Sequence, residues 1–147
     1  MVADWLFKEE PSNYCFDQLQ LEGRTIWEGI ANPLALKYLR SVQVGDRVLF
    51  YATGSVKAIV GEMRVTRGPQ APAEDPKAVS VEVEAVTPYP PGLTLARLKQ
   101  EAALADWELL RLPRLSVVPV SAEQWQRVQE LRQELAGADL GRSPKQT

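Results

Sequence analysis

The 147-residue chain contains no histidine and a single cysteine, Cys15. Without histidine it lacks the commonest general base, the commonest zinc ligand, and every Ser-His or Cys-His nucleophile pairing. One cysteine excludes an intrachain disulfide and fits a reducing compartment. Charge of one sign is scarce too: 17 basic against 19 acidic residues leave a net charge of -2, so the whole chain is no electrostatic trap for nucleic acid. Any such binding must come from a local basic patch, with the acidic residues segregated elsewhere. No basic segment followed by a long apolar run opens the sequence, and no stretch approaches a membrane span, so we expect no signal peptide, no membrane association and a cytoplasmic protein. The acidic residues show no ligand spacing, and we expect no metal, no cofactor and no catalytic residue.

What is present is ordinary for one globular domain: 45% hydrophobic and 24% charged residues, in a chain long enough to bury a core without staples. Ala3 to Phe7 reads as a short strand, and Phe16, Leu19 and Leu21 as a helical turn closed by Gly23. Arg24 to Trp27 is a second extended piece. Asn32-Pro33 opens a helix, because asparagine caps free amides and proline at the first position lacks only an unneeded donor. Leu34, Ala35, Tyr38 and Leu39 recur at helical spacing and are expected to face the core. Arg47 to Ala52 and Ala58 to Thr66 form a hairpin, with Gly61 marking a bulge or a close approach. Arg67 to Lys77 reads as a loop, Val79 to Ala85 as a half-buried strand, and Pro88 to Gly92 as its break.

Thr94 caps a short helix with Leu95 and Leu98, and an irregular helical piece follows around Leu104 to Leu110. Arg114 to Val120 is a further strand, stopped by Pro119. Ser121 and Gln124 make a capping box for a closing helix whose stripe is Trp125, Val128, Leu131 and Leu135. The order is mixed α+β without repeats: one domain over residues 1–136 and a frayed, disordered tail over 137–147.

Trp5-Leu6-Phe7-Lys8-Glu9-Glu10-Pro11 and Trp27-Glu28-Gly29-Ile30-Ala31-Asn32 have the ingredients of a pocket: flat aromatic surface plus a few directional groups. Two readings stand for Trp5 and Trp27, ligand platform or core filling. Asn32 is likewise open, a cap or a reader. Trp107 and Trp125 fit helical packing, and Cys15 has no basic neighbour to activate it.

These two blocks, with Phe16-Asp17-Gln18-Leu19, Gly45-Asp46, Phe50-Tyr51, Ile59-Val60-Gly61 and Arg114-Leu115-Ser116-Val117 leading to Trp125, resemble the EVE domain family over nearly the whole chain. The resemblance implies a PUA-like fold: a small, curved, mostly antiparallel β-barrel with surrounding short helices and a C-terminal helix. It also implies a non-catalytic nucleic-acid-binding module reading a modified cytosine or adenine in DNA or RNA, as a monomer or weak homodimer. The family's usual serine is Glu9 here, its Arg-Asn pair is Ala31-Asn32, its His-Ser is Ala52-Thr53, and Pro33 replaces a tyrosine. On that reading the ligand-binding residues are Trp5, Lys8, Glu10, Trp27, Asn32, Tyr51, Arg114 and Ser116. Trp27 and Tyr51 would stack a base, Asn32 and more weakly Ser116 would read its edge, and Lys8 and Arg114 would meet phosphates. Glu10 would pair with Lys8 or a backbone amide, or accept from an exocyclic amine. Arg47, Lys57 and Arg64 could widen the basic surface. The resemblance also allows an ASCH-like amidohydrolase acting on modified nucleosides, with Lys8 as base, Thr53 as nucleophile and Glu10 or Glu62 orienting them. A third reading is a protein-interaction scaffold with the closing helix as its dimer face.

Overall fold

The computed structural model describes residues 3–142, with side chains described as far as residue 137. Strand β1 (Asp4–Glu9) leads through a turn to helix α1 (Phe16–Glu22) and strand β2 (Arg24–Trp27). Helix α2 (Pro33–Ser41) precedes the meander of β3 (Arg47–Ala52), β4 (Ala58–Gln70) and β5 (Ser80–Thr94). After the short α3 (Leu95–Leu98), a 3₁₀ turn and α4 (Glu108–Arg111), strand β6 (Val117–Val120) and helix α5 (Ala122–Arg142) close the fold. Helix α5 runs past Gly137, and residues 143–147, the rest of the expected tail, lie outside the described residues.

The six strands form one sheet in the order β2-β5-β4-β3-β1-β6, antiparallel except for the β1–β3 pair. Among the described residues no ladder joins β2 to β6, so the barrel is an open one. It is nonetheless strongly rolled. Trp27 on the β2 edge lies 5.5 Å from both Phe7 of β1 and Phe50 of β3, strands that are its distant neighbours in sheet order. The long β4–β5 hairpin supplies the curl, since its register shifts at four places, each of which bends and twists the ribbon. At one of them Gly61 lets the Phe16 ring lie directly on the strand; a Cβ there would stand within 2.4 Å of that ring.

Five sequence expectations change. Pro88 to Gly92 do not end β5, because β2 pairs only with Val81–Glu84 and leaves the far side of the proline stretch unpaired, where a missing N–H costs nothing. Pro119 likewise sits inside β6, the edge of the sheet. That strand begins at Val117, with Arg114 to Ser116 in the loop before it. Strand β4 extends through Gly68 and Pro69 to Gln70, which shortens the expected loop. On α2 the core-facing residues are Ala35, Leu36 and Leu39, while Leu34 is partly exposed.

The capping box reads as expected: Ser121 Oγ accepts from Gln124 N, and Gln124 Oε1 accepts from Ser121 N. Helix α5 docks on the sheet through Trp125, Val128 and Leu131, and Arg47 lies 4.1 Å from the Trp125 ring while pairing with Asp4 at 2.7 Å.

Candidate nucleic-acid interface

Parallel pairing of β1 with β3 sets Lys8 opposite Tyr51 and Glu9 opposite Ala52. Successive side chains of a strand point to opposite faces, so Lys8 and Glu9 serve different hollows. Lys8 Nζ donates to the carbonyl of Pro113 at 2.9 Å and stands 5.7 Å from the Tyr51 ring centroid. Burial lowers the Lys8 pKa and raises that of Tyr51. Together with Thr53, Lys57 and Leu109 these residues line a hollow of about 250 Å³. Ser116 enters through its backbone, its carbonyl accepting from Lys8 N at 3.0 Å and anchoring the loop to β1.

A second hollow, about 400 Å³, lies across Pro113, which both share; it is lined by Asn32, Arg111, Leu112 and Arg114. Asn32 resolves its two open roles by dividing its atoms. Oδ1 caps α2, accepting from Leu34 N and Ala35 N at 3.0 Å each. Its Nδ2 has no acceptor within hydrogen-bond reach among the described residues, which leaves the amide a donor only, on a residue that lines the hollow.

The cations around these two hollows are Lys8, Lys57, Arg111 and Arg114, and no carboxylate lines either one. None of the four takes part in an ion pair among the described residues. Arg24, Arg47, Arg64, Arg97 and Arg127, by contrast, are all neutralised by nearby carboxylates. This is the segregation that a weakly acidic chain needs if it is to hold an anion locally. Glu10 sits beside the first hollow and folds over the β3–β4 turn, 3.4 Å from the hydroxyls of Thr53 and Ser12. Gly54, at φ 68, leaves the room for it: a Cβ there would be 2.7 Å from the carboxylate. Glu10 therefore braces the turn, and pairs neither with Lys8 nor with a backbone amide among the described residues.

The two indoles of the opening blocks are packing residues in large part. Trp5 is buried, tilts against Tyr38 6.0 Å away, and donates Nε1–H to the buried Asp46 at 2.9 Å, at the opposite end of β1 from Lys8. It lines neither hollow. Trp27 is 4% exposed, edge-on to Phe50, and reaches only a separate cavity of about 190 Å³ shared with Glu9, Tyr14 and Thr25. An indole face and the Asn32 amide thus do not share one hollow. The sequence reading missed Arg111 and Pro113; the available signal was the Arg111-Leu112-Pro113-Arg114 run, in which a proline flanked by two arginines follows a short helical pattern. Among the described residues, no group of three or more His, Cys, Asp or Glu side chains is placed to hold a metal.

A rolled, mostly antiparallel sheet with short helices on its flanks defines a PUA-like domain. The EVE domain model matches residues 3–131, and the chain belongs to the EVE domain family. Thymocyte nuclear protein 1 of Danio rerio is 26% identical over 166 aligned positions, covering 88% of this chain and 72% of that protein. The NMR structure of a Rhodopseudomonas palustris protein is 36% identical with a TM-score of 0.84, covering 91% of this chain and 95% of that one. The crystal structure of human THYN1 in complex with DNA containing 5-methylcytosine shares the fold at a TM-score of 0.81 and 22% identity, over 88% of this chain and 97% of that one.

Proposed function

We propose that this chain is a non-catalytic nucleic-acid-binding module that seats one modified base, a modified cytosine or adenine, in the hollow between Lys8, Tyr51 and Pro113. The observation that carries the reading is the convergence of Lys8, Lys57, Arg111 and Arg114 on two adjoining hollows whose linings hold no carboxylate, Glu10 standing beside the first. Membership of the EVE family and the DNA bound by human THYN1 support the ligand class. Extruding a base costs a few kcal/mol, and stacking returns roughly 1–3 kcal/mol per base, so one ring contact must be joined by others. Tyr51, as buried as Trp27, contributes a ring to the wall of this hollow, Asn32 Nδ2 a donor in the adjoining hollow for the neighbouring nucleotide, and the four cations the contacts to flanking phosphates. Because Trp5, Trp27, Trp107 and Trp125 are all buried, their fluorescence is a poor reporter. Anisotropy of labelled DNA and RNA oligonucleotides, with and without 5-methylcytosine or N6-methyladenine, tests the reading. Tighter binding of a modified strand supports it; equal affinity for modified and unmodified strands overturns it.

A second reading has one specific observation behind it. Lys8, whose pKa burial lowers, shares its hollow with Thr53, and the Thr53 hydroxyl lies 3.4 Å from Glu10. Those are the groups an ASCH-like amidohydrolase would use as base, nucleophile and orienting carboxylate. Glu62 is engaged elsewhere, accepting from the Tyr89 hydroxyl at 2.7 Å. Turnover of acylated nucleosides that disappears in both Lys8→Ala and Thr53→Ala would favour this reading, and no turnover in the unaltered protein removes it.

A further inference from the structure

The basic surface does not stop at the base hollow. A third depression, about 430 Å³, adjoins it and is lined by Ser55, Lys57, Leu95 and Lys99; Lys57 and Leu95 line both. The three hollows therefore lie in a row, the first pair sharing Pro113 and the second pair Lys57 and Leu95. Lys99, like Lys57, has no ion-pair partner among the described residues, and no carboxylate lines the third hollow either. The nearest candidate in sequence, Glu101, is already held by Arg97 and Arg127.

The backbone at the junction is unusual in the same place. Lys57 adopts φ 49, the single positive-φ position among the described non-glycine residues, and its carbonyl is fixed there by Leu95 N at 2.8 Å. A left-handed conformation is strained for a long side chain, and glycine or asparagine would fill the position more comfortably. Such strain tends to persist where the side chain it presents is needed. Here the residue it presents borders two hollows.

We propose that Lys57 and Lys99 form an outer subsite for the phosphodiester backbone of the nucleotides flanking the seated base, on the side away from Arg111 and Arg114. The inference rests on the base-binding reading above and adds the path of the strand. Phosphate is the ligand because the third hollow offers ammonium groups and the Ser55 hydroxyl, which suit a diffuse anion, and no aromatic face for a second base.

The test uses the full chain and two series of single-stranded DNA, each with one 5-methylcytosine, lengthened stepwise on either the 5′ or the 3′ side. Lengthening on one side is expected to tighten binding several-fold, with a gain that fades as salt rises. Lys57→Gly combined with Lys99→Ala should erase that gain and lower the salt slope by about 1.4, at roughly 0.7 per lost single-strand contact. In Lys99→Ala alone, a change outside the base hollow, the ratio of modified to unmodified affinity should stay unchanged. Lys37→Ala combined with Lys77→Ala removes the same charge from exposed positions elsewhere and should leave the gain intact. Thermal melting of both double variants shows that they fold. A gain that survives in the Lys57/Lys99 variant, an equal loss in the Lys37/Lys77 variant, or no gain with length in the unaltered protein overturns the subsite. If instead the length gain behaves as described but modified and unmodified strands bind equally, the base reading fails and the backbone subsite stands.

Discussion

Lys8 Nζ reaches the carbonyl of Pro113, 2.9 Å away across 105 residues of sequence, and that hydrogen bond closes the wall between two hollows of the candidate interface. One ammonium thus ties the C-terminal end of β1 to the loop that carries Arg114, while its charge remains available to a ligand.

The Lys8 contact gives a pH signature. Burial holds its pKa below the ordinary 10.5, so in the window between the folded and unfolded values the unfolded chain binds the proton more tightly. The contribution of this group to stability therefore rises with pH through that window. Binding of a phosphate should fall across the same window as the charge is lost. Urea unfolding and oligonucleotide affinity measured from neutral pH to about 10.5 should show opposite trends, and Lys8→Arg, which stays charged, should flatten the binding curve. Parallel trends would contradict this account.

Asn32 separates its two roles by substitution. Asn32→Asp keeps an acceptor for the α2 amides and favours the helix dipole, so stability should hold, yet it replaces the free donor with a negative charge and should weaken oligonucleotide binding at least tenfold. Asn32→Ala should cost about 1 kcal/mol of stability as well. Chemical denaturation beside anisotropy titration distinguishes the two.

Trp27→Ala should destabilise the fold by about 3–5 kcal/mol, because the ring is wedged between Phe7 and Phe50. Trp27→Phe should keep most of the stability and bind oligonucleotides as the unaltered chain does. A tenfold loss of affinity in a well-folded Trp27→Phe variant would return the indole to the ligand site.

Gly61→Ala tests the curl of the sheet. A methyl group there meets the Phe16 ring at 2.4 Å, so either α1 lifts or the β4–β5 hairpin flattens, at a cost of about 1–3 kcal/mol. Pairing the change with Phe16→Leu should recover part of the loss, which denaturant titration of the single and double variants would measure.

Much of the fold was legible in local chemistry. Asn32-Pro33 announces a helix start, Ser121 with Gln124 announces another, and the alternation of Val79, Val81 and Val83 announces a strand, because each depends on neighbours within a few residues. The proline runs misled because a proline's effect depends on whether its strand edge is paired, which only the sheet order decides. The site divided along the same line. Lys8, Asn32, Tyr51 and Arg114 do meet around Pro113, since they belong to the ends of neighbouring elements. Trp5 and Trp27 line neither hollow: which face of a short strand turns where depends on the rolling of the whole sheet, and the Asp46 carboxylate that receives the Trp5 N–H lies 41 residues away.

The most direct measurement is a crystal structure of the chain with a short single strand carrying one 5-methylcytosine. The account predicts the modified ring in the hollow lined by Lys8, Tyr51, Thr53 and Pro113, with a neighbouring nucleotide near Asn32 and phosphates on Arg111 or Arg114. A base lodged in the small cavity beside Trp27 and Glu9, or a strand bound on another face with the Tyr51 hollow vacant, would contradict it.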